Sequence, residues 1–263
     1  MKATVGDIDV GFTVAGEGAP VVLIHGLAEE RSSWANVQRS LPNYRTYAYD
    51  LRGHGETSLG DAEGSLAQLG KDLLGFLQHI SGPAVCVGYS LGGTIVLWAA
   101  AERPALVQQA IVAGTSSIVG RRAGEFFEQR IKTIESDIAA FAQDLRSDTA
   151  AQLAAEHEQT DAVTKRRLAA VGNGGGYINA ARAMKKLVDE PLTPTLAKIK
   201  CRVDVIGGEK DAFCPPKAAS LLISGLSNAE YHEIKGAGHL MSIDNPAAYA
   251  DAIKQSLTRS VST

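Results

Sequence analysis

The chain has 263 residues, 45% of them hydrophobic, and carries 26 basic against 29 acidic side chains for a net charge of −3. That length admits one large domain or two small ones. The composition suffices for a sizeable core, and the balanced charge argues against nucleic acid or an anionic membrane as a partner. Cys86, Cys201 and Cys214 cannot close a disulfide set and lack metal-ligand spacing. With no signal-peptide pattern and no run of about 18 apolar residues, the expectation is a soluble, cytoplasmic protein.

Strand and helix signals alternate from residue 21 onwards. Val21-Val22-Leu23-Ile24 is a β-branched run ending in Gly26, as expected of a strand buried on both faces. Residues 44–49 form a second strand, and Leu66, Leu69, Leu73, Leu77 and Ile80 recur at helical spacing. A third strand over 84–88 leads into an apolar helix over 91–102, stopped before Pro104. A fourth strand covers 107–113. The rhythm then breaks: from 118 to 190 only helical patterns are visible. Phe127, Ile131, Ile134, Ile138 and Phe141 share one face there, and a charged helix is expected over 153–170. It resumes with a strand at 203–206, a helix over 216–223, a strand at 230–234 and a helix over 246–257, while 258–263 reads as a frayed tail. Strand–helix alternation predicts an α/β fold with a mostly parallel twisted sheet covered by helices on both faces. The domain reading is a core of 1–117 and 191–263 with a helical lid inserted at 118–190.

Chemistry concentrates in three places. Gly88-Tyr89-Ser90-Leu91-Gly92-Gly93 lies between a buried strand and an apolar helix, the setting that lifts a serine hydroxyl above a sheet on a sharp turn. A serine with no role beyond capping the helix is the plain alternative. The hydroxyl needs a base. His239, in Gly236-Ala237-Gly238-His239-Leu240, falls after the last strand on a loop that can return to the top of the sheet. His25 and His54 read as loop supports, and His79, His157 and His232 as solvated surface residues. A carboxylate must orient the imidazole. Asp211, just beyond a strand's carboxyl end, is preferred over its neighbour Glu209. For the oxyanion, the backbone N–H groups of Leu27 and Leu91 are the candidates.

These landmarks resemble the α/β-hydrolase superfamily over nearly the whole chain. They comprise His25-Gly26, Asp50-Leu51-Arg52-Gly53-His54-Gly55, the turn at Ser90, the Asp211 loop, and Gly238-His239 followed by Asn245-Pro246. Serine at position 90 departs from the dehalogenase and epoxide hydrolase branches, which carry aspartate there. Leu240 departs from the carbon–carbon hydrolases, which usually carry tryptophan. The sequence is most similar to the serine carboxylesterase and enol-lactonase branch. That resemblance implies cofactor-free hydrolysis of a small ester or lactone by a Ser-His-Asp triad. Carbon–carbon cleavage or perhydrolysis on the same triad, or a ligand receptor built on the fold, are the alternatives.

Within the insertion, 11 basic and 11 acidic side chains leave no net charge. Phe126, Phe127 and Met184 are candidate pocket residues, joined by Phe213 beside the acid and Leu240 beside the base. Arg121 and Arg122 are weighed as partners for a substrate carboxylate against simple helix solvation. Gly172-Asn173-Gly174-Gly175-Gly176 follows a helix rather than a strand, so it reads as a helix cap and connector, not a phosphate loop.

Overall fold

The structure is a computed structural model that describes residues 1–259. The chain opens with strands β1 (Lys2–Val5), β2 (Ile8–Ala15) and β3 (Ala19–Ile24), then helix α1 (Ala35–Ser40) and strand β4 (Tyr44–Tyr49). Helix α2 (Leu66–Phe76) continues as a wide π turn through Ser81 and is followed by β5 (Ala84–Tyr89), α3 (Leu91–Glu102) and β6 (Val107–Ala113). Between β6 and β7 (Arg202–Gly208) lie α4 (Arg121–Ser136), α5 (Ile138–Gln152), α6 (Thr160–Val171) and α7 (Gly175–Lys186). Helix α8 (Pro216–Gly225), strand β8 (Ala229–Ile234), the single turn α9 (Met241–Asp244) and α10 (Pro246–Arg259) complete the described chain.

The eight strands form one sheet in the order β1-β2-β4-β3-β5-β6-β7-β8. β1 and β2 run antiparallel to their neighbours, and every pairing from β4 through β8 is parallel. Alternate side chains of β3 enter opposite cores, because successive residues of a strand face opposite sides. Val22 and Ile24 meet the layer of α2 and α3, while Val21 and Leu23 meet that of α1 and α10. A third apolar cluster, including Ile131, Ile134, Phe141, Leu145 and Tyr177, holds α4 to α7 together. Met184 and Leu187 nevertheless belong to the main sheet core, so the inserted helices are packed onto the sheet.

Several expectations are corrected. β1 and β2 precede the first strand read from the sequence; the alternation of Ile8, Val10 and Phe12 with polar residues is the signal that marks β2. The apolar face running from Phe127 to Phe141 belongs to two helices. Asp137 caps α5 by accepting N–H bonds from Ala139 and Ala140, which breaks the chain there and leaves Ile138 half exposed. The helix expected over 153–170 starts only at Thr160. The backbone N–H groups of Ala154, Ala155 and Glu156 instead donate to the distant Asp244 carboxylate at 2.9–3.2 Å. Of the expected frayed tail, Thr258 and Arg259 lie in α10 and residues 260–263 lie outside the described residues.

Candidate active site

Strand register brings the chemistry together. Ile24 pairs with Gly88, Tyr89 with Ala113, Ala113 with Ile206 and Gly208 with Ile234. The segments after β3, β5, β6, β7 and β8 therefore emerge side by side at one edge of the sheet, where ligands of open α/β sheets bind.

Ser90 sits at φ 52°, ψ −118°, immediately before α3. Positive φ is strained for a residue with a Cβ, and close packing enforces it. A Cβ on Gly88 would stand 2.4 Å from the carbonyl of Gly92, and one on Gly92 would stand 2.2 Å from the Ile24 oxygen. Ser90 N–H donates to Ala113 at 2.8 Å, and its carbonyl accepts from Gly93 and Thr94, so the turn is pinned on both sides. The hydroxyl is left to the side facing His239.

His239 Nε2 lies 3.1 Å from Ser90 Oγ, and His239 Nδ1 lies 2.8 Å from Asp211 Oδ2. Asp211 Oδ1 accepts N–H bonds from Phe213 and Cys214, both at 2.8 Å. Burial pushes the Asp211 carboxyl up, but the charge and hydrogen bond of His239, with those two amides, outweigh it and hold the group below its ordinary value. The Tyr89 hydroxyl donates to the His239 carbonyl at 3.1 Å, tying the His239 loop to the strand that leads into Ser90. Glu209 is turned away, accepting from Gly236 N–H at 2.8 Å and facing Lys235.

Leu27 and Leu91 line the same cavity as Ser90. As first residue of α3, Leu91 has an N–H without an intrahelical partner. His25 supports this loop: its Nε2 accepts Leu51 N–H at 2.9 Å and its Nδ1 donates to the Gly26 carbonyl at 2.8 Å. Burial, with His54 nearby, lowers the His25 pKa to about 3. The Asp50–Gly55 segment is a scaffold. Arg52 holds Asp7 and Asp72 at 2.7–2.9 Å, and Asp50 accepts from the N–H groups of Arg31 and Glu56.

The cavity measures about 590 Å³. Phe126, Phe127, Met184 and Phe213 all line it; the Phe213 ring lies 5.5 Å from that of His239. Leu240 does not. His239 turns toward the cavity, so the next residue turns the other way, and Leu240 is buried in the core beneath the sheet. Arg122 stands exposed at the cavity wall, and Arg121 faces a different groove. Sequence reasoning missed Gln152 and Arg167, which also line the cavity. His232, expected to be solvated, is half-buried with Nε2 at 3.1 Å from Asp204. Asp211, Cys214 and His239 place donor atoms within 4.8 Å of one another, as do Asp204, Glu230 and His232. In the first group the Asp211 oxygens are already committed to three hydrogen bonds.

A family profile described as alpha/beta hydrolase fold matches residues 19–246. The chain belongs to this family. A curated relative, 3-oxoadipate enol-lactonase 2 of Acinetobacter baylyi, is 24% identical over 97% of this chain and 96% of its own. The 2-hydroxy-6-oxo-6-(2'-aminophenyl)hexa-2,4-dienoic acid hydrolase of Metapseudomonas resinovorans is 26% identical over 97% of this chain and 89% of its own. Among solved structures, the enol-lactonase from Burkholderia xenovorans LB400 superposes with a TM-score of 0.88 at 23% identity, covering 98% of this chain and 100% of that one. The family fold and a hydrolase assignment therefore stand. Among the described residues, no helix is long and apolar enough to cross a membrane.

Proposed function

We propose that this α/β-hydrolase cleaves a small carboxylic ester or lactone through an acyl-enzyme. The observation that carries the reading is the unbroken chain Asp211–His239–Ser90, with links of 2.8 and 3.1 Å, opening into the cavity of about 590 Å³. His239 Nε2 takes the Ser90 proton as Oγ attacks the carbonyl carbon, and the carbonyl π electrons move onto oxygen. The N–H groups of Leu27 and Leu91 hold that oxyanion. Collapse expels the alcohol, or opens the lactone ring, with the proton returned from His239. Water then enters by the same route and releases the acid. Asp211 stays ionised and keeps the imidazole in the Nδ1–H tautomer.

Residues 118–190 act as a lid over a core of 1–117 and 191–263, supplying Phe126, Phe127 and Met184 to the cavity wall. Three free thiols fit a reducing, cytoplasmic setting. Similarity to the dienoic acid hydrolase favours carbon–carbon cleavage as the second reading.

The test is turnover of a panel of p-nitrophenyl esters and lactones set against β-diketones. Ester or lactone turnover is expected to dominate and to fall on the order of 10³-fold or more in Ser90→Ala while the protein stays folded. An organophosphonate should label Ser90, detected by peptide mass spectrometry, and label nothing in His239→Ala. Multiple turnover dismisses a receptor role, and faster β-diketone cleavage moves the assignment to carbon–carbon hydrolysis. Because side chains and water complete the cycle, EDTA is expected to leave the rate unchanged.

A further inference from the structure

Folding gathers a set of metal-ligating side chains that no spacing in the sequence marks. The Cys214 sulfur, a carboxylate oxygen of Asp211 and a ring nitrogen of His239 lie within 4.8 Å of one another. A tetrahedral zinc ion holds sulfur at about 2.3 Å and nitrogen or oxygen at about 2.0–2.2 Å, so its ligands stand about 3–4 Å apart, and side-chain shifts of about 1 Å close the set. Cys214 is half-buried and lines the cavity, so an ion entering there reaches its sulfur. The other two thiols have no such setting. Cys86 is fully buried in β5, and Cys201 lies outside the cavity and belongs to no ligand group among the described residues.

Charge separates this group from the one formed by Asp204, Glu230 and His232. There Arg202 pairs with both Asp204 and Glu230 at 2.8 Å, and Arg259 also pairs with Glu230, so fixed cations already occupy the acids. Asp211 pairs with no lysine or arginine among the described residues, and its one ionic partner is His239. Its Oδ1 keeps the amide bonds from Phe213 and Cys214 when an ion arrives, because only Oδ2 faces His239 Nδ1. Two of the three hydrogen bonds that brace the carboxylate therefore survive. Burial and the Asp211 charge push the Cys214 thiol up, which keeps it protonated and uncharged beside the triad while no ion is present.

We propose that Asp211, Cys214 and His239 form an inhibitory site for a thiophilic divalent cation such as zinc, which switches the hydrolase off by capturing its base. The thiol gives its proton to solvent and the sulfur binds as thiolate. The ion takes the Nδ1 lone pair, and the ring carries its proton on Nε2 instead. One proton leaves per ion bound, and nothing is oxidised or reduced. Nε2–H then points a donor at Ser90 Oγ where an acceptor is needed, so the hydroxyl keeps its proton and cannot attack. Thiolate and imidazole ligands select zinc or cadmium over magnesium or calcium, which take oxygen ligands. The inhibition rests on the ester or lactone reading above; the binding of the ion does not.

The experiment adds Cd²⁺ or Zn²⁺ to the full chain after treatment with EDTA and desalting. Cadmium is expected to raise the ultraviolet charge-transfer band of a thiolate–cadmium bond. That band should persist in Cys201→Ser, disappear in Cys214→Ser and weaken in His239→Ala, a reading that needs no activity. Zinc should inhibit hydrolysis of p-nitrophenyl acetate, EDTA should restore it, and magnesium should have no effect. Measured against each protein's own metal-free rate, the zinc concentration for half inhibition should rise by about 10-fold or more in Cys214→Ser, since even the outer-shell partners of a metal contribute that much. It should stay unchanged in Cys201→Ser. Circular dichroism checks each fold, and Cys214→Ala repeats the test with no oxygen at the position. A native protein without the cadmium band, a band without inhibition, or equal zinc sensitivity in the native protein and Cys214→Ser overturns the proposal. If no ester is turned over, the substrate reading fails by itself. The metal site is then decided by the band and by whether zinc slows organophosphonate labelling of Ser90.

Discussion

Two acidic side chains two positions apart have opposite fates, and the difference is set by hydrogen bonds. Asp211 faces His239 and is braced by the Phe213 and Cys214 amides, whereas Glu209 accepts from Gly236 on the surface. Asp211→Asn should therefore lower kcat by on the order of 10²–10⁴-fold, because an amide cannot stabilise the imidazolium and can present its NH₂ to Nδ1, forcing the wrong tautomer. Glu209→Gln should stay within about 3-fold of the native rate, since an exposed surface ion pair contributes little. Steady-state kinetics on one ester checks both, and a larger loss in the glutamine variant would move the acid role to Glu209. That Ser90, Asp211 and His239 come together was legible because each sits in a local context, at the turn or loop beyond a strand end, that no folded partner has to supply. Leu240 misled because adjacency in sequence says nothing of direction: one residue beyond a cavity-facing histidine, the side chain points into the core. Arg167 was masked by Lys165 and Arg166, although Val163, Thr164, Arg167, Ala170 and Val171 recur at helical spacing and form the buried face of α6.

Elements whose boundaries are encoded locally were read almost to the residue. Strand β5 and helix α3 are an example: β-branched residues give way to glycines where the two cross, and Pro104 closes the helix. The start of α6 was misread because its upstream chain is held by Asp244, about 90 residues away, a contact that periodicity cannot encode. The docking of α7 is another long-range contact, and it rests on two glycines. A Cβ on Gly176 would lie 2.3 Å from the Gly53 oxygen, and one on Gly53, at φ +70°, would lie 2.6 Å from Gly176 Cα. Backbone meets backbone there, so a methyl group has nowhere to go. Gly176→Ala is expected to push α7 away from the Asp50–Gly55 loop, with a loss of about 1–3 kcal/mol of stability. Because α7 carries Tyr177 and Met184 into the cavity while Ser90, Asp211 and His239 stand on core loops, KM should rise several-fold more than kcat falls. Thermal melting and a KM-against-kcat comparison on one apolar ester check this; a collapse of kcat with unchanged KM would mean that α7 positions the triad instead.

Across the whole molecule, the scaffold beneath the site carries an acid sensitivity that the chemistry does not need. His25 and His54 are fully buried, with ring centroids 5.4 Å apart, and burial lowers their values to about 3 and about 4 from an ordinary 6.5. Between those values and 6.5 the unfolded chain binds a proton at each site that the folded chain refuses. The unfolded state thus holds more protons, and stability falls as pH falls through that window, by about 1.4 kcal/mol per pH unit for each histidine. Below the folded value each contribution levels off. Burial shifts the Glu29, Asp50 and Asp72 carboxyls above their ordinary value, which opposes this slope at the acid end. The clean measurement is accordingly a difference between two proteins. His54 suits it, because its Nε2 has no partner and its Nδ1 makes one bond, to the Arg52 carbonyl at 3.1 Å. His54→Leu keeps the buried bulk, gives up that single bond, and removes one titrating group. Urea unfolding followed from pH 4.5 to 6.5 should show a slope shallower than that of the native protein by about 1.4 kcal/mol per pH unit, with the variant less stable near neutrality and gaining on the native protein as acid is added. Curves that stay parallel over this range would show that His54 takes up its proton in the folded state as readily as in the unfolded one. His25 links the same titration to activity, since a proton on its Nε2 removes the acceptor of Leu51 N–H and releases the loop that carries Leu27. Loss of ester turnover on brief acid exposure is therefore expected to follow unfolding, in step with the urea midpoints.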